Sequence, residues 1–104
     1  MTLKTNRFDP AKYFKSEEEI AVYLQVAAEE AEEFNDNSIL LRAIETAAKA
    51  RGMMLVAKEA GVSRESLYKS LAPDAKPRWE TIVKVLDALG VKITLSPKET
   101  SPAK

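Results

Sequence analysis

The chain has 104 residues, 45% apolar and 31% charged, with basic and acidic side chains equal in number. That balance fits one small globular domain with a modest core and excludes a disordered polymer. Cysteine and histidine are absent, which excludes disulfides, thiol chemistry, histidine-based catalytic relays and the usual zinc ligand sets.

The glycines, Gly52, Gly61 and Gly90, are too scattered for a phosphate-binding loop. No catalytic or metal-ligating residue is therefore assigned, no cofactor or small-molecule ligand is expected, and the chain is not read as an enzyme. No apolar run reaches membrane-spanning length, so no membrane partner is expected. The opening "MTLKTNRFDPAKYFKSEEE" lacks the apolar centre of a signal peptide, and a cytoplasmic location is expected. The zero net charge conceals an asymmetry. Residues 1–50 carry six basic and ten acidic side chains, and residues 51–104 carry ten and six. A chain divided in this way can serve two partners of opposite charge.

In chain order, residues 8–36 read as an acidic N-terminal helical segment. Asp9 suits an N-cap and Pro10 the first helical position, which predicts a short turn. Ser16 and Glu19 then form a capping box. Ile20, Tyr23, Leu24, Ala27, Ala31 and Phe34 recur at helical spacing as one apolar stripe, and "NDN" at 35–37 ends the helix.

Residues 37–90 read as the core. A helix through "SILLRAIETAAKAR" is expected to bury Leu40, Ile44, Ala47 and Ala48, with Gly52 at its end. A short helix, "MMLVAKEA", is broken by Gly61. Ser63 caps the next, "RESLYKSL", which stops before Pro73. After the turn-forming "APDAKP", "RWETIVKVLDAL" is expected to bury Trp79, Ile82, Val83, Leu86 and Leu89.

The period changes at residues 91–95. Val91, Ile93 and Leu95 alternate with Lys92 and Thr94, which predicts a strand. Nothing else in the sequence reads as its partner, so pairing with the same strand of a second copy is expected, giving a homodimer. Residues 96–104 read as a flexible tail.

The stretch "AKEAGVSRES" carries the functional signal. Two steeply crossing helices need a small residue at their contact, here Ala57, and a tight left-handed turn four residues later, here Gly61. Val62, Leu67 and Leu71 then pack inward, toward Val56 and Ala60. That geometry leaves Ser63, Arg64, Glu65, Ser66, Tyr68 and Lys69 on the outer edge, the part of a helix-turn-helix that enters the major groove of double-stranded DNA. Ser63 caps the helix and aims backbone amides at a phosphate. Arg64 reaches a guanine edge, and Glu65 accepts from cytosine or supports Arg64. Tyr68 and Lys69 meet a phosphate or a thymine methyl. Lys58, Lys76 and Arg78 are further phosphate candidates. The plainer alternative is a helical hairpin with a solvated outer face.

On "RGMMLVAKEAGVSRESLYKSL", "PRWETIVKVLDALGVKITL" and "FDPAKYFKSEEEIAVYL", the sequence resembles the antidote proteins of addiction modules. These are HigA-like antitoxins with a helix-turn-helix of the Cro/CI repressor type. The likeness spans roughly residues 8 to 95. It implies an all-α, five-helix fold of that kind, preceded by an N-terminal helical extension and followed by the dimer-pairing strand. It also implies two tasks: neutralising a small basic toxin of the RelE/HigB kind, and repressing the shared operon by binding operator DNA as a dimer. Met53 departs from the wider Cro/CI pattern, in which glutamine at this place braces the recognition helix and contacts a phosphate.

Glu18, Val22, Gln25, Val26, Glu29 and Glu33 gather on the face opposite the Ile20 stripe. Valines among carboxylates suit a toxin with an apolar spot ringed by Lys or Arg. Alternatively they are ordinary exposed valines, or they lie under the N-terminal segment against Phe8 or Phe14. Two other functions stay open beside the antitoxin: an orphan helix-turn-helix regulator without a toxin, and a protein-binding module that no longer binds DNA.

Overall fold

The computed structural model describes residues 16–98, which form five helices and no strand. They are α1 (Glu17–Glu33), α2 (Ser38–Arg51), α3 (Met53–Ala60), α4 (Arg64–Ser70) and α5 (Trp79–Ala88). The all-α class is as expected. The turn expected at Asp9 and Pro10, the positions of Phe8 and Phe14, and residues 99–104 lie outside the described residues.

Each helix begins and ends for a local reason. Ser16 Oγ accepts from the Glu19 N–H at 3.2 Å, and Glu17, Glu18 and Glu19 place negative charge at the positive end of α1. Past Glu33 the chain reverses through Asn35, whose φ is 52°. The Asp36 N–H then donates to Ala31 O at 2.9 Å, the long bond of a Schellman turn. Asp36 also starts α2. Its Oδ1 accepts from the Ser38 hydroxyl at 2.7 Å and from the Ser38 N–H at 3.0 Å. Those bonds, the hydroxyl's first, hold its carboxyl below the ordinary carboxylate value. Gly52 alone separates α2 from α3.

α1 lies along α2, while α3 packs against α2, α4 and α5. The core joins Ile20, Leu24 and Ala27 of α1 to Leu41, Ile44, Ala47 and Ala48 of α2 and to Met53, Val56, Ala57 and Ala60 of α3. Leu67 and Leu71 close it from one side, and Val85 and Ala88 of α5, with Leu89 just after it, from another. Ile44, Val56, Leu67, Leu71, Val85 and Leu89 are its largest fully buried side chains. Burying each contributes about 1.5–3 kcal/mol relative to exposure.

Several expected core positions lie elsewhere. Trp79 is 68% exposed and Val83 39%. The buried stripe of α5 runs through Val85, Ala88 and Leu89, with Ile82 and Leu86 half-buried beside it. At about 100° per residue, Trp79 falls on the flank of that stripe and Val83 near its far side. Phe34 continues the α1 stripe but follows the last helical residue, and at that corner it stays 64% exposed. In α2, Leu41 is fully in the core and Leu40 only half-buried. Tyr23 is half-buried against the core.

The expected strand is not formed. Val91 donates its N–H to Leu86 O at 3.0 Å, closing α5, and leans on the core. Lys92, Ile93, Thr94 and Leu95 are exposed and continue with no ladder. A strand needs a second strand to satisfy its backbone, and none exists among the described residues of one chain.

One polar contact ties the ends of the fold together. Glu17 reaches Arg51 at 3.7 Å and lies across Gly90, where a Cβ would come within 2.6 Å of its carboxyl group.

Gly61 has φ 77° and ψ 28°, the left-handed conformation, and nothing stands within 4 Å of the place a Cβ would occupy. Any penalty for a side chain there is purely conformational. Gly61→Ala is expected to lower the unfolding free energy by about 1–2 kcal/mol in urea titrations, and Gly61→Asn by less. An unchanged midpoint for Gly61→Ala would remove the left-handed turn as a determinant of the fold.

Candidate nucleic-acid interface

The corner between α3 and α4 is built from three neighbours. The Gly61 N–H donates to Lys58 O at 3.2 Å and the Val62 N–H to Ala57 O at 3.0 Å. This is a complete Schellman pair, so the chain leaves α3 in a fixed direction. Ala57 is buried in the core, and Val62 packs half-buried against it. Leu67 and Leu71, fully buried, then fix the rotation of α4 about its own axis.

With that rotation set, the rest of α4 faces outward. Ser63, Arg64, Glu65, Ser66 and Lys69 are exposed, whereas Tyr68, expected on the same outer edge, is half-buried against the core. Ser63 Oγ accepts from the Ser66 N–H at 3.0 Å and donates to the Ser66 hydroxyl at 2.9 Å. Both serines thus shape the first turn of α4. Glu65 stands in that turn, where a carboxylate favours the helix dipole. Arg64 lies with its guanidinium carbon 5.5 Å from the centre of the Tyr68 ring.

The remaining phosphate candidates occupy other elements. Lys58 is exposed on α3. Lys76 and Arg78 are exposed in the segment leading into α5, where Arg78 is the residue before the first helical turn. Met53 is buried and forms part of the apolar core. Lys49 was not among the sequence candidates. It projects from α2, 3.7 Å from Glu45, and its ammonium lies 5.9 Å from the same Tyr68 ring. Its position follows only from how α2 sits beside α4, which no local pattern reveals.

Glu18, Val22, Gln25, Val26, Glu29 and Glu33 are all exposed on α1. Val22 is 64% exposed and Val26 48%. Gln25 donates to Glu29 at 3.0 Å, along the same face. No group of three or more acidic residues that could hold a metal ion occurs among the described residues. No helix there is long and apolar enough to cross a membrane.

The described residues thus form an all-helical domain that carries an acidic helix, α1, and a sharp two-helix corner between α3 and α4. Over residues 4–97 the chain matches the family described as "probable addiction module antidote protein", and it is a member of that family. Membership brings the role of an antidote, the antitoxin of an addiction module, and with it a toxin as partner. Among individual proteins it is similar to one from Haemophilus influenzae described as uncharacterized. The two are 40% identical over 93 residues, covering 88% of this chain and 91% of the other. No solved structure matches the chain.

The Ser63 cap is open to a direct check. Ser63→Ala removes the side-chain acceptor for the Ser66 amide and is expected to cost about 1 kcal/mol in thermal or urea unfolding, whereas Ser63→Asp retains most of it. Equal losses in both variants would mean that the hydroxyl does not cap α4.

Proposed function

We propose that this antitoxin is also a transcriptional repressor. In this reading it works by binding rather than catalysis: it neutralises a small basic toxin of the RelE/HigB kind and binds its own operator through a helix-turn-helix formed by α3 and α4. The observation that carries the DNA-binding half is the turn at Gly61. It exposes Ser63, Arg64, Glu65, Ser66 and Lys69 together while burying Leu67 and Leu71 behind them. Such an edge has the shape and polarity that enter a major groove. Arg64 supplies the fork for a guanine edge, and Lys58, Lys76 and Arg78 supply phosphate contacts.

The split in charge supports two surfaces of different character. The acidic stretch from Ser16 to Asp36, with eight acids and no base, suits a basic toxin. Its exposed Val22 and Val26, among Glu18, Glu29 and Glu33, suit an apolar spot on that toxin. Residues 91–95, unpaired in one chain, suit pairing with the same residues of a second copy. Such a dimer would place two recognition helices about 34 Å apart, over an inverted repeat.

Gel shifts with the DNA upstream of the gene test the repressor reading. Arg64→Ala is expected to reduce discrimination against unrelated DNA by about 1–3 kcal/mol. Removing Lys58, Lys76 or Arg78 is expected to weaken all sequences alike and lower the salt slope by about one each. Binding indifferent to sequence and to Arg64→Ala would eliminate base reading. An absence of any shift at low salt, with capture of a basic protein retained, would leave a pure protein-binding module.

The toxin face has its own test. Val22→Asp combined with Val26→Asp is expected to weaken capture of the neighbouring gene's product by about tenfold or more while operator binding is unchanged. Full capture by that variant would move the toxin contact elsewhere.

A further inference from the structure

Tyr68 stands one helical turn after Arg64 and has two cationic neighbours. The Arg64 guanidinium lies 5.5 Å from the ring centre, and the Lys49 ammonium 5.9 Å. Both fall within the ~6 Å over which an aromatic face attracts a cation. The contact with Arg64 follows from helix geometry, since side chains lean toward the N-terminus and a residue covers the turn before its own. The contact with Lys49 is tertiary, from α2 to α4. The ring is half-buried against the core, so it is a fixed platform, while both charged heads stand at the surface. Lys49 is steadied further by Glu45, one turn earlier on α2.

We propose that Tyr68 is a positioning residue. Its ring orders Arg64 for base reading and draws Lys49 alongside as an additional phosphate contact. This inference rests on the DNA-binding reading above and specifies how that surface is organised. An exposed arginine samples many rotamers and loses that freedom when it pairs with a base; a ring that already restricts it lessens the loss. Two cations gathered at one ring repel each other, and an approaching phosphate relieves that repulsion. The surface is therefore better matched to a polyanion than to water. Tyr68 acts through its face in this scheme, and its hydroxyl is dispensable.

The experiment uses the full chain and two labelled duplexes, one copied from the DNA upstream of its own gene and one a scramble of the same composition. Affinities are measured across a salt series for wild type, Tyr68→Phe, Tyr68→Leu, Lys49→Gln, Arg64→Ala and the Arg64→Ala/Tyr68→Leu double variant. Leucine keeps apolar bulk against the core but has no aromatic face; Tyr68→Met is the substitute if thermal melts show that leucine disturbs folding. Tyr68→Phe is expected to discriminate as wild type does. Tyr68→Leu is expected to lose about two- to fivefold in discrimination, with no further loss when Arg64 is already alanine. Lys49→Gln should weaken both duplexes alike and lower the salt slope by about one. Wild-type discrimination by Tyr68→Leu would overturn the positioning role, and so would equal losses in Tyr68→Phe and Tyr68→Leu, which would assign it to the hydroxyl. An unchanged salt slope in Lys49→Gln would overturn the Lys49 contact. If wild type itself binds both duplexes equally, base reading falls and takes the positioning role with it, and if it binds neither, the DNA-binding reading falls as a whole; both results are visible before any variant is compared.

Discussion

The tight turn that joins α3 to α4 is the constraint on which the rest of the molecule depends. Two helices joined this closely need small side chains near the join and a short link. Ala57 meets the first need, and the left-handed Gly61 with its paired amide bonds meets the second. Because the link is short, the direction of α4 is set by α3 and not by a flexible loop. Because Leu67 and Leu71 are wholly buried, the rotation of α4 is set as well. Direction and rotation together decide which residues meet solvent, and the exposed set runs from Ser63 to Lys69 with only Leu67 fully withdrawn.

Much of this could be read from the residues themselves. The helices, the corner and the outward edge all rest on local rules: capping by Ser16 and Ser63, breaks at Asn35, Gly52 and Gly61, and apolar spacing along α1 and α3. Errors arose where tertiary packing selects among apolar residues. In α5 the segment holds more apolar side chains than one face can accept. Pattern alone admitted Trp79 and Val83, whereas packing on α3 selected Val85, Ala88 and Leu89. Phe34 keeps the apolar spacing of α1 but lies past the point where the chain turns away, so spacing alone does not distinguish it from a core residue. The alternation at residues 91–95 is present in the sequence, but a strand is a property of two segments and one chain offers only one. Lys49 was invisible for a related reason, since its neighbour on α4 is distant in sequence.

The fold separates two surfaces of opposite character with very little material. The acidic face of α1 and the polar edge of α4 lie on different helices, and the shared core between them consists largely of alanine, leucine, isoleucine and valine from α2 and α3. Small residues such as Ala43, Ala47, Ala48, Ala57 and Ala60 bring the backbones close, which lets residues 16–98 carry both surfaces. The contact of α1 with the end of α2 and with Gly90 is polar and partly exposed: Glu17 lies over Gly90 and reaches Arg51 across 3.7 Å. Solvent-accessible pairs of this sort contribute little to stability, so the two surfaces are held in register by the core and not by charge.

Trp79, the chain's single tryptophan, stands in water at the first position of α5, immediately after Arg78. An indole so placed emits as a solvated fluorophore, and anything that settles on that end of the molecule will shift its colour or quench it. With no cysteine in the background, a second dye can be installed at any chosen site through one introduced thiol. The molecule therefore comes equipped for optical titration, with one reporter already in place and an unobstructed choice for the other.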